Sequence, residues 1–474
     1  MKRFLWIVSV LLALFVAMPQ ASAMDLTLTV KKSLGTSGVG VSVRDYETGK
    51  IVYEYYGETK RKPASNMKLL TGATALSLLG EDYRYETVVY IAGDVVNGTL
   101  NGHVYLKGSG DPTLNYNHLL SLASALKNTG IERINGNLYG DESIFIDSQL
   151  TPGIVPEDET YYYGARTSAL VLSPNSDFDA GTINIRVTGS KQGAKAYVNP
   201  QPSAMGMTIV NNTVTGAKGS GTSISVTRKY GTSQIIVSGR IAPGRAVEKL
   251  VTVNNPTINT MYAMKDAIQA RGIRFVKQPE VGRGILPQTA TRLGAVKSQT
   301  LAQMFPEFMK LSNNAMADLF VRKLGYEQKG EGNTATGVGV LREYGQSIGV
   351  DMSKFQFEDG SGMSHRNSIA PNGLTELLFQ MKAVPVFQSF YSSLPVGGMS
   401  DRLVGGSLRK RYTNSAYRTK VVAKTGAITG VDSLAGYVTA KSGKKYTFAV
   451  MVEHRRSSAI SGIDSVVTNL INNN

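Results

Sequence analysis

The chain has 474 residues, 42% hydrophobic and 18% charged, a globular composition with length for two or three domains and a large core. It contains no cysteine, which excludes disulfides, a cysteine nucleophile and a lipidated N-terminal cysteine. The formal charge is +16, and in an exported protein such charge points to anionic wall polymer or a membrane surface rather than nucleic acid.

Export is itself read from the start of the chain. Lys2 and Arg3 supply a positive start, 4–17 an apolar run, and Ala21-Ser22-Ala23 a small-residue cleavage site. The pattern predicts a signal peptide removed near Ala23, leaving an extracytoplasmic protein at the wall or peripheral to the membrane. An uncleaved anchor is the competing reading, but the run falls short of the roughly 20 residues that a span needs.

Period-2 patterning at 38–43 and 51–56 around Glu47-Thr48-Gly49-Lys50 predicts a hairpin. Pro63-Ala64-Ser65-Asn66-Met67-Lys68 then leads into Leu69, Leu70, Ala73, Leu76 and Leu79, whose spacing predicts a helix with Ser65 at its N-cap or first turn. Short strands follow at 87–92, 103–107 and 134–139, broken by Asn-Gly pairs, with one helix at 118–127. Residues 181–250 lack helical periodicity and read as a β-domain. They carry Arg186, Lys191, Lys195, Lys218, Arg228, Lys229, Arg240, Arg245 and Lys249 against Glu248 alone.

Helical patterns return near 259–272. After Ser312, the residues Met316, Leu319, Phe320 and Leu324 predict a helix closed by Gly325. Strands at 419–424, 433–439 and 445–453 and a helix at 459–471 end the chain. The expected fold is an α/β domain in two parts, 24–92 and 286–474, interrupted by mostly-β inserted domains over 93–285.

No zinc centre or cofactor is expected, because His103, His118, His365 and His454 are not paired at ligand spacing. Nor does a G-x-S-x-G elbow precede a plausible histidine, so serine chemistry needs another base. Ser65 and Lys68 offer one, since i and i+3 share a helix face. That motif alone is weak, recurring at Ser124/Lys127, Ser407/Lys410 and Ser442/Lys445. Ser312-Asn313-Asn314 at a helix start and the single Lys424-Thr425-Gly426 at a strand end make it strong. Ser-x-x-Lys, Ser-x-Asn and Lys-Thr-Gly in that order are the signature of serine penicillin-recognising enzymes. A second Ser-x-Asn, Ser173-Pro174-Asn175, precedes no helix and reads as a turn.

With these motifs the chain resembles the class C penicillin-binding proteins, the D-Ala-D-Ala carboxypeptidase/endopeptidase family, over essentially its whole exported length. In that family inserted domains separate the first two motifs, as Lys68 and Ser312 are separated here. Leu106-Lys107-Gly108-Ser109-Gly110-Asp111-Pro112, Tyr161-Tyr162-Tyr163-Gly164, Asp359-Gly360-Ser361-Gly362 and Ser393-Leu394-Pro395-Val396 add to the likeness.

The resemblance implies a serine β-lactamase/transpeptidase-like domain acting on peptidoglycan stem peptides and acylated by β-lactams. It implies that Ser65 attacks the penultimate D-Ala carbonyl, that Lys68 takes the proton, and that Ser312 relays it to the leaving amine. Asn314 would bond the substrate backbone. Lys424 and Thr425, followed by Gly426, would hold the terminal carboxylate, with Lys424 depressing Lys68 by like charge. The N–H groups of Ser65 and Ala427 would form the oxyanion hole.

Asp158 and Tyr163 match a side pocket that some relatives use for the ammonium-carboxylate end of a diaminopimelate stem peptide. Asp158 is equally readable as a loop acid within Glu157-Asp158-Glu159. Two departures bear on that pocket: His365 stands between Ser364 and Arg366, and Ile428 stands where some relatives have Met. His365 reads as a rim or structural residue, and Asp359-Gly360-Ser361-Gly362 and Gly108-Ser109-Gly110 as structural turns. The competing functions are a wall-binding scaffold with a minor catalytic role, its basic segment the working surface, and a serine β-lactamase.

Overall fold

The computed structural model describes residues 24–201 and 206–473; the expected signal peptide lies outside them. Its organising element is a five-stranded antiparallel sheet that joins the two ends of the chain. The strand order is Val421–Ile428, Val431–Thr439, Lys445–Val452, Val39–Asp45, Ile51–Tyr55. The hairpin expected near the N-terminus thus pairs with the last strand, Val41 facing Val450. Period-2 alternation sorts the strand residues between two cores.

Phe448, Val450 and Val452 pack under helices Thr27–Leu34 and Ile460–Asn472, the first of which the sequence reading had not anticipated. Ala449 and Met451 face the other core, built from helices Lys68–Leu79, Leu301–Lys310, Asn314–Lys329 and Pro371–Met381. Each fully buried leucine or phenylalanine there contributes about 1.5–3 kcal/mol.

A second, seven-stranded sheet belongs to the inserted region. Glu86–Val96 pairs with Thr99–Lys107 on one side and with Thr291–Lys297 on the other. The expected edges at 93 and 285 therefore cut through this sheet, which begins at Glu86 and ends at Lys297. Turn signals mark where strands reverse, whereas nothing local marks which sheet a strand joins. Helices Tyr116–Asn128 and Pro256–Ala270 cover it. Beyond it, two three-stranded sheets enclose Ile183, Ile185, Val187, Ile235 and Val237, the β-texture expected over 181–250.

Asn314–Lys329 is longer than expected and ends at Gly330, in the left-handed conformation that caps helices (φ 76°). Gly325 does not close it. A Cβ there would lie 2.6 Å from the Glu331 carbonyl oxygen, so this glycine admits close chain packing inside the helix.

One face of the same helix is polar. Asn314, Asp318 and Arg322 recur at i, i+4 and i+8, and all three bond to the inserted region. Arg322, side chain 1% exposed, donates to Asp147 Oδ1 (2.8 Å), Thr167 Oγ1 (2.6 Å) and the Ser148 carbonyl (2.5 Å). Asp147 in turn accepts from the Thr334 N–H at 2.9 Å, at the start of the next helix.

Removing the guanidinium strands three buried or half-buried partners. Arg322→Ala is expected to destabilise by about 3 kcal/mol, read as a lower midpoint in denaturant unfolding. An unchanged midpoint would contradict that assignment.

Candidate active site

Ser65 sits in a single 3₁₀ turn, Ala64–Met67, which runs directly into helix Lys68–Leu79. The turn is strained: Ala64, just before Ser65, has φ 46°. It is held by the Asp359–Gly362 loop, because Gly362 (φ 85°) lies so close that a Cβ would come within 1.9 Å of the Ala64 carbonyl oxygen. Ser433 Oγ donates to the Pro63 carbonyl from the opposite side (2.7 Å). Around a half-exposed Ser65, Pro63, Ala64, Asn66 and Met67 are all buried.

Lys68 is fully buried, and its ammonium has three partners: Ser65 Oγ (3.0 Å), Asn314 Oδ1 (2.6 Å) and the Ser361 carbonyl (2.7 Å). Those are the three donors that an ammonium owns. Once neutral, the amine keeps the two carbonyl-type acceptors and turns its lone pair to the Ser65 hydroxyl, the geometry of a general base. Burial pulls its pKa down to about 7, against the opposing fields of Asp318 and Asp359.

Those carboxylates are buried too. Asp318 is pushed up to about 6 by burial and then by Asp359, and it accepts from Thr151 Oγ1. Burial also raises Asp359, whose oxygens accept from the Gly362 N–H (2.9 Å), the Ser364 N–H (2.8 Å) and Asn367 Nδ2 (2.7 Å).

Lys424 is the second buried amine. It donates to Ser312 Oγ (2.6 Å) and the Thr425 carbonyl (2.9 Å). Burial holds it well below its ordinary value, and the Lys68 charge adds to that. The like-charge effect expected on Lys68 thus falls on Lys424, while desolvation is what lowers Lys68. Ser312 has φ 62°, a second strained non-glycine residue at the site.

The edge strand brings its motif against Ser65. A Cβ at Gly426 would stand 3.1 Å from the Ser65 backbone nitrogen and 2.7 Å from the Pro63 carbonyl oxygen. This strand's outer edge is bonded near its start, the Ala423 N–H to the Pro395 carbonyl (2.9 Å). Thr425 Oγ1 donates to Ser407 Oγ at 2.7 Å.

A cavity of about 470 Å³ is lined by Ser65, Asp158, Tyr163, Ser312, Asn314, Thr425, Ala427 and Ile428, among others. A second, of about 370 Å³, opens on the far side of Ser312 toward Ser407 and Arg409. Nine of the ten residues expected at the site have a side chain or backbone on the first cavity or bonded to its lining; Gly426 reaches it through its approach to Ser65.

Asp158 and Tyr163 stand together, Tyr163 Oη donating to Asp158 Oδ1 at 3.0 Å. Burial, then Asp158, pushes the Tyr163 phenol up. His365 is half-buried near both Lys62 and Asp158; burial and then Lys62 lower it, against Asp158. Asn314 is more committed than expected. Its Oδ1 accepts from Lys68 and its Nδ2 donates to the Tyr163 carbonyl (2.8 Å), so one amide N–H is left for a substrate.

Four participants were not assigned to the site from the sequence: the Ser361 carbonyl, Asp359, Asp318 and Ser407. The Asp359-Gly360-Ser361-Gly362 stretch is a turn, as expected, but it also walls in the Lys68 amine. For Asp318 a signal existed, the four-residue spacing from Asn314 to Arg322. Ser407 lay in a Ser-x-x-Lys that reads as surface spacing.

The chain matches the D-Ala-D-Ala carboxypeptidase 3 (S13) family over residues 20–470. It is 34% identical over 438 residues to a D-alanyl-D-alanine carboxypeptidase of an Actinomadura species, covering 91% of this chain and 80% of that one. A Haemophilus influenzae D-alanyl-D-alanine carboxypeptidase is 24% identical over 463 residues, 94% of this chain and 91% of that protein. The crystal structure of penicillin binding protein 4 from the same organism shares the fold. Its TM-score is 0.79 at 22% identity, covering 94% of this chain and 98% of that one.

With Lys68 as the expected acceptor of the Ser65 proton, acylation by benzylpenicillin should rise with pH through about 7 and level above it. Asp318→Asn removes a field that raises the Lys68 pKa, so the limb should move to lower pH. A limb that stays in place, or moves upward, would refute the part given to Asp318. Stopped-flow acylation between pH 5 and 9 makes the measurement.

Proposed function

The chain belongs to the D-Ala-D-Ala carboxypeptidase 3 (S13) family, and on that footing we propose that Ser65 is the nucleophile of its reaction. The protein is a serine D-Ala-D-Ala carboxypeptidase of the penicillin-binding type, acting on peptidoglycan and acylated by β-lactams. Its action is extracytoplasmic, which accords with an exported chain cut near Ala23 and placed at the wall or membrane periphery. Among the described residues no helix is long and apolar enough to cross a membrane.

The observation that carries the assignment is the triple coordination of Lys68, which holds a low-pKa amine 3.0 Å from Ser65 Oγ. Ser65 Oγ bonds to the penultimate D-Ala carbonyl carbon as its proton passes to Lys68 Nζ. The oxyanion rests on the backbone N–H groups of Ser65 and Ala427. Ser312, bonded to Lys424, gives its hydroxyl proton to the departing amine as the C–N bond breaks and is resupplied by the proton that Lys68 took, which returns Lys68 to its neutral form. Water then attacks the ester carbonyl, giving a proton to neutral Lys68, which passes it to Ser65 Oγ as the ester C–O bond breaks.

The carboxylate of the leaving D-Ala meets Lys424 and Thr425. The substrate adds to the outer edge of the Val421–Ile428 strand beyond Lys424. Asp158 and Tyr163 form the wall that receives the stem-peptide side chain. We take the inserted unit to run from 86 to 297.

For the basic segment a surface role fits eight of its nine cations, all exposed; Arg228 alone is buried. We assign those eight to anionic polymer of the wall or to a membrane surface, as an electrostatic footing separate from the chemistry.

Ser65→Ala is expected to abolish both covalent labelling by penicillin and release of D-Ala from a stem pentapeptide. Labelling that survives would sink the assignment of Ser65, and an adduct lost within seconds would favour a β-lactamase. Replacing Lys191, Lys195, Arg240 and Arg245 by Gln should weaken sedimentation with isolated walls at low salt, leaving labelling unchanged. Equal sedimentation at all salt concentrations would rule out the electrostatic role.

A further inference from the structure

The loop Asp158–Tyr163 faces two ways. Toward the active site it presents the Asp158 and Tyr163 side chains, and its Tyr163 carbonyl accepts from Asn314. Away from it, Glu159 turns inward and is 1% exposed. Glu159 Oε1 accepts from Arg228 Nη2 at 2.6 Å and from Arg166 Nε at 3.0 Å.

Arg228, side chain 0% exposed, lies at the end of strand Ser225–Arg228 in the outer β-sandwich. Its Nε donates to Thr252 Oγ1 (3.1 Å) and its Nη1 to the Thr232 carbonyl (3.0 Å). Thr252 Oγ1 is itself 3.1 Å from the Glu159 carbonyl oxygen. Two strands of the outer sandwich thus grip the back of the loop through one buried ion pair and one hydroxyl.

A buried ion pair contributes little net stability compared with an apolar replacement of equal volume, yet it defines one geometry sharply. Cut at Arg228, it leaves the Glu159 carboxylate to Arg166 alone, with nothing tying it to the sandwich through a charge. No other group on the loop ties it to the sandwich so firmly, and the loop has only short 3₁₀ turns of its own.

We propose that Arg228 and Thr252 are positioning residues for substrate recognition. Through Glu159 the outer β-sandwich fixes Asp158 and Tyr163 against the bound stem peptide, so a module remote from Ser65 sets the affinity for the peptide's third side chain. This rests on the reading of Asp158 and Tyr163 given above, and extends it to what holds them.

The test compares full-length wild type with Arg228→Met, Arg228→Lys and Thr252→Val. Two stem pentapeptides are used, one with a free amine on the third side chain and one with that amine acetylated. Benzylpenicillin acylation, which needs Ser65 and Lys68 but not the side-chain wall, reports on the folded site.

Arg228→Met is expected to raise KM for the free-amine peptide about tenfold with kcat changed less, as for lost binding shared by ground and transition states. Thr252→Val should do the same to a smaller degree, and Arg228→Lys should recover part of the loss. Penicillin acylation should stay within about twofold of wild type, since uniform damage would lower both.

Wild-type KM values in Arg228→Met and Thr252→Val, with the wild-type preference for the free amine intact, would overturn this inference and leave the Asp158 wall standing. Peptide turnover and penicillin acylation falling together in both variants would also overturn it. A wild type indifferent to acetylation would overturn the wall and the inference together.

Discussion

A buried amine must be satisfied by partners within the fold, and at this site two lysines, Lys68 and Lys424, are fully buried. Neither can be satisfied by its own element. Lys68 draws on the helix that begins at Asn314, the loop at Ser361 and its neighbour Ser65; Lys424 draws on Ser312. Segments hundreds of residues apart are therefore brought within hydrogen-bond distance, and the two halves of the catalytic domain close around these contacts. The desolvation that makes the contacts obligatory also lowers both lysines, so one constraint shapes the site and brings an amine near neutrality beside Ser65.

Backbone strain is also present at the site. Ala64 and Ser312 both hold positive φ values, the first next to Ser65 and the second bonded to Lys424. Each such residue costs roughly 1–3 kcal/mol, which only a rigid surrounding can sustain. Gly362 backing the Ala64 carbonyl and Asn313 capping its helix supply that surrounding. Asn313 also donates from Nδ2 to the carbonyls of Asp177 and Phe178, both at 2.9 Å, so the inserted region takes part in holding Ser312.

The insertion is thus not an appendage to a finished enzyme. Asn313, Asn314, Asp318 and Arg322 seam the start of one catalytic-domain helix to it, and Glu159 ties the seam outward to the β-sandwich. Arg228 shows why counting charge along the chain misleads. It belongs by composition to a basic surface, yet the fold turns it inward to meet a carboxylate 69 residues away.

The sequence by itself determined the nucleophile's motif, its two companions and their order, because those are chemical requirements written into residue type and short spacing. It determined most strands and five of the helices, since apolar periodicity is local, but it named none of helices Thr27–Leu34, Leu301–Lys310, Thr334–Ser347, Pro371–Met381 and Phe387–Ser393, nor the true end of the helix after Ser312. It left open whether Asp158 faces water or the site, and it placed the edges of the insertion inside a sheet. Those were decided by tertiary structure, which alone sets who pairs with Glu86–Val96 and which way an acid in Glu157-Asp158-Glu159 turns. The same holds for Asp318, Asp359 and Ser407, and for burial as the cause of the low Lys68 pKa: each depends on partners distant in the chain, and no local pattern encodes them.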